Sequence, residues 1–357
     1  MSDTHWFGLA PAERIAAVAE AGLEPYRAGQ VSRHVFERHE YDPALYTDLP
    51  LAARETIASR FFQPVLTPAG ELTADGGRTV KQAWRLRGGA VIESVLMRYK
   101  DRDTVCVSSQ AGCGMGCPFC ATGQGGLQRN LSQAEIVAQV AKAEAALGSG
   151  SMPGGPGRVD NVVLMGMGEP LANYTAVLKA VRQITAPVPD GWGVSARGLT
   201  ISTVGLVPAM RRLSTEGLPV TLAVSLHAPD DELRDELVPV NKRFKVAEVL
   251  DAAWDYARVT KRRVSIEYAL IDGVNDQAFR ADGLARELRA RGDWAWAHVN
   301  VIPLNPTRGF GQTAPAAAKQ SAFVARLERA HVPVTVRDTR GRDIDGACGQ
   351  LAAAVTR

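Results

Sequence analysis

Apolar and polar positions change rhythm three times along the chain. Residues 10–60 read as short helices. One opens at Leu9-Ala10-Pro11 with Pro in its first turn, a second runs from Tyr26 to Glu37, and a third from Leu51 to Phe62. Asp42-Pro43 and Asp48-Leu49-Pro50 punctuate them. Residues 64–100 break into short extended pieces, and the Gly88-Gly89 turn between Thr79–Leu86 and Val91–Tyr99 predicts a hairpin. From about residue 101 the pattern becomes strand, loop, helix, repeated. Strands are predicted at 104–109, 161–166, 199–203, 221–227, 263–270, 298–304 and 333–337. Helices are predicted at 132–147, 246–258, 277–291 and 316–331, the first opened by a Ser132/Glu135 capping box. Such alternation implies a parallel sheet with right-handed crossovers, and six units fit an open, partial (β/α)6 barrel of the α/β class. The domain plan is a helical unit over 1–62, a β-hairpin extension over 63–98 and an α/β core over 99–357. Gly148–Arg158, rich in Gly, Pro and Ser, reads as a flexible surface loop.

Composition narrows the class. The chain has 357 residues, 46% of them apolar, enough for one large core beside a small unit. The formal charge of +3 is unevenly spread: residues 1–75 carry six Arg, no Lys and eleven acidic residues, and the remainder is +8. A basic main region suits a polyanion such as RNA, although ordinary surfaces show the same imbalance. No run of 18 apolar residues predicts a membrane span, and Met1–His5 lacks the features of a signal peptide. Five cysteines, three of them clustered, argue against a secreted disulfide framework. A soluble cytoplasmic protein is expected.

The clustered cysteines carry the chemistry. Cys113-Gly-Met-Gly-Cys117-Pro-Phe-Cys120 spaces three thiols as C-x3-C-x2-C. Three thiolates on one tight loop can hold three irons of a 4Fe–4S cluster. No Cys or His follows until His227, so one iron would be left open. Zinc is the alternative, but it normally takes four ligands, often as two C-x2-C pairs, and the second pair is missing. Polar groups then recur just past predicted strands, where parallel α/β proteins bind ligands. Gly166-Met167-Gly168-Glu169-Pro170 offers strand-end carbonyls and a carboxylate suited to an ammonium group; a plain βα turn is the alternative. Ser202, Ser225-Leu226-His227 and Asn305 are further small polar groups of this kind, each taken alone better read as a turn or cap. Cys106 reads as a small buried hydrophobe. Cys348, among small residues and preceded by Arg337, Arg340 and Arg342, reads as a thiol presented on a loop with cationic neighbours.

The Cys113–Cys120 spacing resembles that of the radical S-adenosylmethionine (SAM) enzymes. Together with Glu93, Ser108–Cys113, Gly166–Pro170, Ser202–Gly205, Ser225–Ala228, Asn305 and Arg337-Asp338-Thr339-Arg340-Gly341 through Cys348, the chain resembles the RlmN/Cfr family of RNA adenine methyltransferases over nearly its whole length. It is most similar to the RlmN branch. The resemblance implies a radical SAM barrel, with Cys113, Cys117 and Cys120 holding the cluster. Gly168, Glu169, Ser202, Ser225, Leu226, His227 and Asn305 would bind SAM. It implies methylation of carbon 2 of an adenosine in 23S rRNA and in tRNA, with two SAM molecules per turnover. One SAM methylates Cys348; the other is cleaved to a 5′-deoxyadenosyl radical that takes hydrogen from that methyl. The resulting methylene adds to adenine, joining RNA to Cys348. Cys106 helps remove the ring proton and releases product by forming a disulfide with Cys348. Glu93 is implied as a proton acceptor, in competition with Cys106. A flavodoxin- or ferredoxin-type electron donor and a monomeric enzyme are expected. Carbon-8 methylation, as in Cfr-type antibiotic resistance, and radical chemistry on a non-RNA substrate are the rival activities; a non-catalytic RNA-binding factor is the rival class. Three basic stretches, Arg78–Arg102, Lys242–Lys245 and Lys261-Arg262-Arg263, are the candidates for phosphate contact, although each alone is better read as a solvated surface face.

Overall fold

The computed structural model describes residues 4–292, 296–337 and 340–352. Among the described residues twelve strands form: β1 (Leu66–Ala74), β2 (Thr79–Leu86), β3 (Val91–Arg98), β4 (Asp103–Cys106), β5 (Gln110–Gly112), β6 (Leu127–Asn130), β7 (Asn161–Leu164), β8 (Leu199–Thr203), β9 (Thr221–Ser225), β10 (Val264–Leu270), β11 (Ala297–Pro303) and β12 (Val334–Val336). The helices are α1 (Pro11–Glu20), α2 (Arg27–Phe36), α3 (Leu51–Phe61), α4 (Ala121–Gln124), α5 (Gln133–Gly148), α6 (Tyr174–Thr185), α7 (Val207–Ser214), α8 (Asp231–Leu237), α9 (Val246–Thr260), α10 (Ala278–Arg289) and α11 (Ala317–Arg329). One ten-stranded sheet runs β1-β2-β3-β4-β7-β8-β9-β10-β11-β12, and β5 pairs with β6 apart from it. From β4 to β12 every neighbouring pair is parallel. Helices α5, α6, α7, α9, α10 and α11 fill the six crossovers, giving the expected (β/α)6 core followed by one last strand.

The strands of this core alternate. In β8, Leu199 and Ile201 are buried among apolar neighbours, whereas Thr200 and Ser202 face cavities inside the sheet's curve. In β10 and β11, Ile266, Val299 and Val301 join the core, while Glu267 and Asn300 face inward. The inward polar groups satisfy one another: Ser265 Oγ donates to Glu267 Oε1 at 2.6 Å and Asn300 Nδ2 to Glu267 Oε2 at 2.7 Å. The interior is therefore a hollow with a few polar groups set in a mostly apolar wall rather than a packed plug.

The structure adds to two expectations. The predicted hairpin forms as β2–β3, and a further strand β1 extends it into a three-stranded antiparallel edge continuous with the main sheet. Strand β1 carries little sequence signal, because an edge strand need bury neither face. Most of β1 is exposed or half-buried, and its register slips at Pro68/Gly70. Gly148–Arg158 is a turn-rich surface loop, but it is anchored. Arg98 Nη1 donates to the Gly155 carbonyl at 2.5 Å, and Met152 is buried.

The N-terminal helices share a core with the barrel. Trp6, Phe7, Val31, Phe36, Tyr46 and Ile57 belong to one apolar cluster with α5 and α6. Phe36 packs edge-on to Trp192 at 4.9 Å. Arg14 is buried over the Phe36 ring, 4.6 Å from its centroid, and donates to the Asp190 carbonyl at 3.1 Å.

Candidate active site

The Cys113–Cys120 loop lies in the tip of the β5–β6 hairpin. Its path depends on a glycine: Gly112 has φ +74°, and a Cβ there would fall 1.9 Å from the Gly126 carbonyl oxygen. That same oxygen accepts from Cys113 N at 2.9 Å, closing the loop at its base. α4 follows at once, with Gln124 Nε2 donating to the Pro118 carbonyl at 2.7 Å. All three cysteines line one wall of a cavity of about 1000 Å³, open mouth included, at the C-terminal ends of the parallel strands. Phe119 meets His227 edge-on at 4.9 Å and joins a second apolar cluster with Leu233, Leu237, Val238 and Leu304. Burial in this dry setting pushes the Cys113 thiol up to about 11 and raises Cys117 and Cys120 as well; Cys120 adds to the rise at Cys113 and Cys117. Thiols so placed ionise when they bind iron. Among the described residues no three His, Cys, Asp or Glu side chains converge on a single-ion site.

The facing wall is built by Gly166–Pro170. A Cβ on Gly168 (φ +103°) would lie 2.5 Å from Gln110 Cβ, so only glycine lets this turn close on β5. Ser109 N and Gln110 N both donate to the Met167 carbonyl, at 2.8 and 3.1 Å, and Gln110 Oε1 accepts from Glu169 N at 2.8 Å. Glu169 is buried; Oε1 accepts from Leu171 N at 3.0 Å and Oε2 from Val204 N at 2.9 Å. Burial without a cation pushes its carboxyl up to about 7, against those hydrogen bonds. Ser202 Oγ and Ser225 Oγ sit 3.4 Å apart on the same wall. His227, at φ +63°, uses Nδ1 to accept from Ala269 N at 3.0 Å, which leaves its proton on Nε2; burial, then Arg234, pushes its pKa down to about 3. The buried Oδ1 of Asn305 has no hydrogen-bond partner among the described residues. A carboxylate, a hydroxyl pair, one N–H donor and a spare acceptor around this volume suit a ligand with ammonium, ribose and purine groups.

The C-terminal segment covers the cavity. Asn305 Nδ2 donates to the Cys348 carbonyl at 3.0 Å, Ala121 N to Gly349 O at 2.8 Å and Thr122 Oγ1 to Leu351 O at 2.6 Å. Cys348 lines this cavity and also a smaller adjoining one, where Cys106 and Arg337 are found with it. All five cysteines are free thiols. Burial, then Cys348, pushes Cys106 up to about 12, and Arg337 opposes this. Cys348 in turn holds Arg337 firmly cationic despite its burial.

Residues 107–282 match the Radical SAM superfamily profile. A probable dual-specificity RNA methyltransferase RlmN of Cutibacterium acnes is 62% identical over 98% of this chain and 88% of its own length. The protein of the same description from a Nocardioides species is 63% identical over 98% and 93%. The chain belongs to the RlmN family of radical SAM RNA methyltransferases. The fold agrees: the crystal structure of a radical SAM methyltransferase from Sphaerobacter thermophilus superposes with a TM-score of 0.93 at 43% identity, over 98% of this chain and 100% of that one. Family membership implies a 4Fe–4S cluster and SAM, and the cavity offers donors for both.

Of the residues singled out in the sequence, Cys113, Cys117, Cys120, Gly168, Glu169, Ser202, Ser225, His227, Asn305 and Cys348 line the one cavity. Cys106 is one cavity away. Leu226 is fully buried, its N–H bonded to the Glu267 carbonyl at 3.0 Å, and it does not line the cavity. Glu93 is fully buried and lines neither cavity. Asp338 and Thr339 lie outside the described residues. Of the basic stretches, Lys81 pairs with Glu93, Arg98 with Asp103 and Lys245 with Asp235, so none of these three is a free phosphate contact. No helix among the described residues is long and apolar enough to cross a membrane.

Sequence reasoning missed Arg234. This buried guanidinium donates to the carbonyls of Leu226 and Val204, at 3.0 and 2.6 Å, and to Asn241 Oδ1 at 2.7 Å, stitching two strand ends beneath the cavity. The sequence carries no signal for it, because an Arg in the acid-rich α8 behind an Asp230 cap reads as a solvated charge. Arg234→Met leaves several buried carbonyls unpaired and is expected to cost about 3 kcal/mol, read by denaturant unfolding.

Proposed function

We propose that this enzyme methylates carbon 2 of an adenosine in 23S rRNA and in tRNA, with Cys348 as methyl carrier and Cys106 as the resolving thiol. One observation carries the reading: the Cys348 loop is docked across the SAM cavity, and its thiol adjoins a second cavity holding Cys106 and Arg337. Cys113, Cys117 and Cys120 would hold the cluster. When bound, the cluster supplies the electron that cleaves SAM into a carbon radical able to take one hydrogen from a methyl group. Glu169 receives the SAM ammonium; Ser202, Ser225 and Asn305 supply polar contacts to the rest of the molecule. Cys348 Sγ takes the methyl of a first SAM and gives up its proton, with Arg337 beside it in the adjoining cavity. After hydrogen loss, the carbon on Cys348 bonds to the ring carbon of an unstacked adenine, so RNA becomes covalently attached. Cys106, acting as its thiolate, takes the ring proton and passes it to solvent. Its sulfur then bonds to Cys348 Sγ as the Cys348–carbon bond breaks; the one surplus electron would leave through the bound cluster, and a solvent proton completes the methyl group, leaving a disulfide and methylated RNA. Two SAM molecules are consumed, and a flavodoxin- or ferredoxin-type protein is the electron source. Residues 1–62 form an accessory unit. Mass spectrometry of nucleosides from RNA treated with reconstituted enzyme tests this: 2-methyladenosine is expected, whereas 8-methyladenosine assigns the other carbon.

Glu169 gives a pH test. Its carboxyl titrates near pH 7 in the ligand-free protein, above the ordinary carboxyl range. The neutral form is the one burial favours, so this group's contribution to stability is full at low pH and is lost as pH rises through about 7. SAM affinity moves oppositely, because the ammonium pairs with the ionised form. Affinity is expected to rise through neutral pH in the wild type and to stay flat in Glu169→Gln. Glu169→Ala is expected to weaken SAM binding roughly 10–100-fold, the loss of one charged hydrogen bond, with iron content unchanged. Equal affinity in both proteins returns Gly166–Pro170 to a plain turn.

A further inference from the structure

The segment bearing Cys348 is held on its outer side by the antiparallel edge of the sheet. Asp75, in the β1–β2 turn, accepts from Gly341 N through Oδ2 at 3.2 Å. Lys81 on β2 donates from Nζ to the Asp345 carbonyl at 3.4 Å. Glu93 on β3 accepts from Ala352 N through Oε2 at 3.0 Å. These three anchors fall on both sides of Cys348.

Lys81 and Glu93 also bind each other, Nζ to Oε1 at 3.3 Å, with their side chains 8% and 1% exposed. In the register Lys81 faces Val95 and Glu93 faces Ala83, so the two are diagonal neighbours on one face of the hairpin. A buried ion pair adds little net stability by itself. Here each partner has a second bond, and both second bonds go to the backbone of the Cys348 segment. The Glu93 carbonyl accepts from Ser108 Oγ at 2.6 Å, and that hydroxyl accepts from Met167 N at 2.9 Å. The Glu93 backbone is thereby tied to the Gly166–Pro170 turn.

We propose that the antiparallel edge is the docking platform of the methyl-carrier loop, and that the buried Lys81–Glu93 pair is the latch that holds Cys348 over the cavity. The proposal rests on the reading of Cys348 as carrier. It makes Glu93 a positioning residue, since its carboxylate is engaged at both oxygens and lines neither cavity.

The test uses the full-length, cluster-loaded protein. In Lys81→Met, amide exchange over residues 340–352 is expected to quicken roughly tenfold, as loss of a charged hydrogen bond implies. Alkylation of Cys348 by iodoacetamide should quicken with it, and methyl loading of Cys348 should fall. Iron content, SAM affinity and exchange in β7–β11 should stay at wild-type values. The reversed pair Lys81→Glu/Glu93→Lys restores an ion pair but sets a carboxylate against the Asp345 carbonyl and an ammonium against Ala352 N–H. It is expected to leave methyl loading low. Unchanged exchange and alkylation in Lys81→Met, or full recovery of methyl loading in the reversed pair, overturns the latch. Should Lys81→Met not fold, Asp75→Ala at the exposed turn must quicken exchange at Gly341, and no change there overturns the platform. If the wild type never loads methyl on Cys348 while exchange still follows Lys81, docking stands and the carrier reading falls.

Discussion

Cys106→Ala is expected to accumulate as a covalent protein–RNA species that survives a denaturing gel. The thiol lies at the end of β4, buried, in the small cavity it shares with Cys348 and Arg337. Its removal takes nothing from the cluster loop or from the wall bearing Glu169, so Cys348 should still receive its methyl and still bond to adenine. What fails is departure: no base remains beside the ring proton and no sulfur remains to displace the RNA. Product release should drop on the order of 10²–10⁴-fold, the usual scale for losing a positioned proton-transfer group. Cys348→Ala should fail earlier and differently, with no methylated protein and no RNA adduct. The two sulfurs must reach disulfide geometry, with Cα atoms within roughly 7 Å, when the product leaves. Gel shift, nuclease digestion and mass spectrometry of the cross-linked peptide read all of this. Normal release from Cys106→Ala, without trapped RNA, would remove the resolving role and require another base.

Replacing Cys113, Cys117 and Cys120 together by Ala should take iron from about four per chain to none and abolish 5′-deoxyadenosine formation under reducing, anaerobic conditions. The fold should survive. The loop's course is set by Gly112 and by the Cys113 N to Gly126 bond, neither of which needs sulfur. Phe119 and the apolar cluster beneath it remain. Unchanged circular dichroism with no iron is therefore the expected pair of results. A triple variant that still cleaved SAM reductively would overturn the assignment of the loop.

Much of the molecule was legible along the chain, because its information is local. The strand–helix alternation from residue 101 announced the parallel barrel, and the Ser132/Glu135 box opens α5 as expected, with Ser132 N donating to Glu135 Oε2 at 2.9 Å. The C-x3-C-x2-C spacing put three thiols on one short loop, and the fold sets all three on the wall of one cavity. Edge strand β1 was not legible, because a strand with little buried face carries no alternation. Arg234 was not legible either, because nothing in an acid-rich helix reveals that one cation turns inward.

The sequence by itself determined which residues could do the chemistry and the order in which the barrel lays them down. Tertiary structure alone decided which of them meet. Ser202, Ser225 and Asn305 are unremarkable strand-end residues until parallel register brings their ends to one cavity. Cys106 and Cys348, 242 positions apart, share a cavity because the chain's end folds back over the sheet. Glu93 moved the other way: a carboxylate on a predicted hairpin had no assigned partner in the sequence, and the fold buried it against Lys81 and the amide of Ala352. Spacing along a chain can report on groups within a turn or two of one another. Contacts across hundreds of residues depend on register, crossover and burial, and these exist only once the sheet has closed.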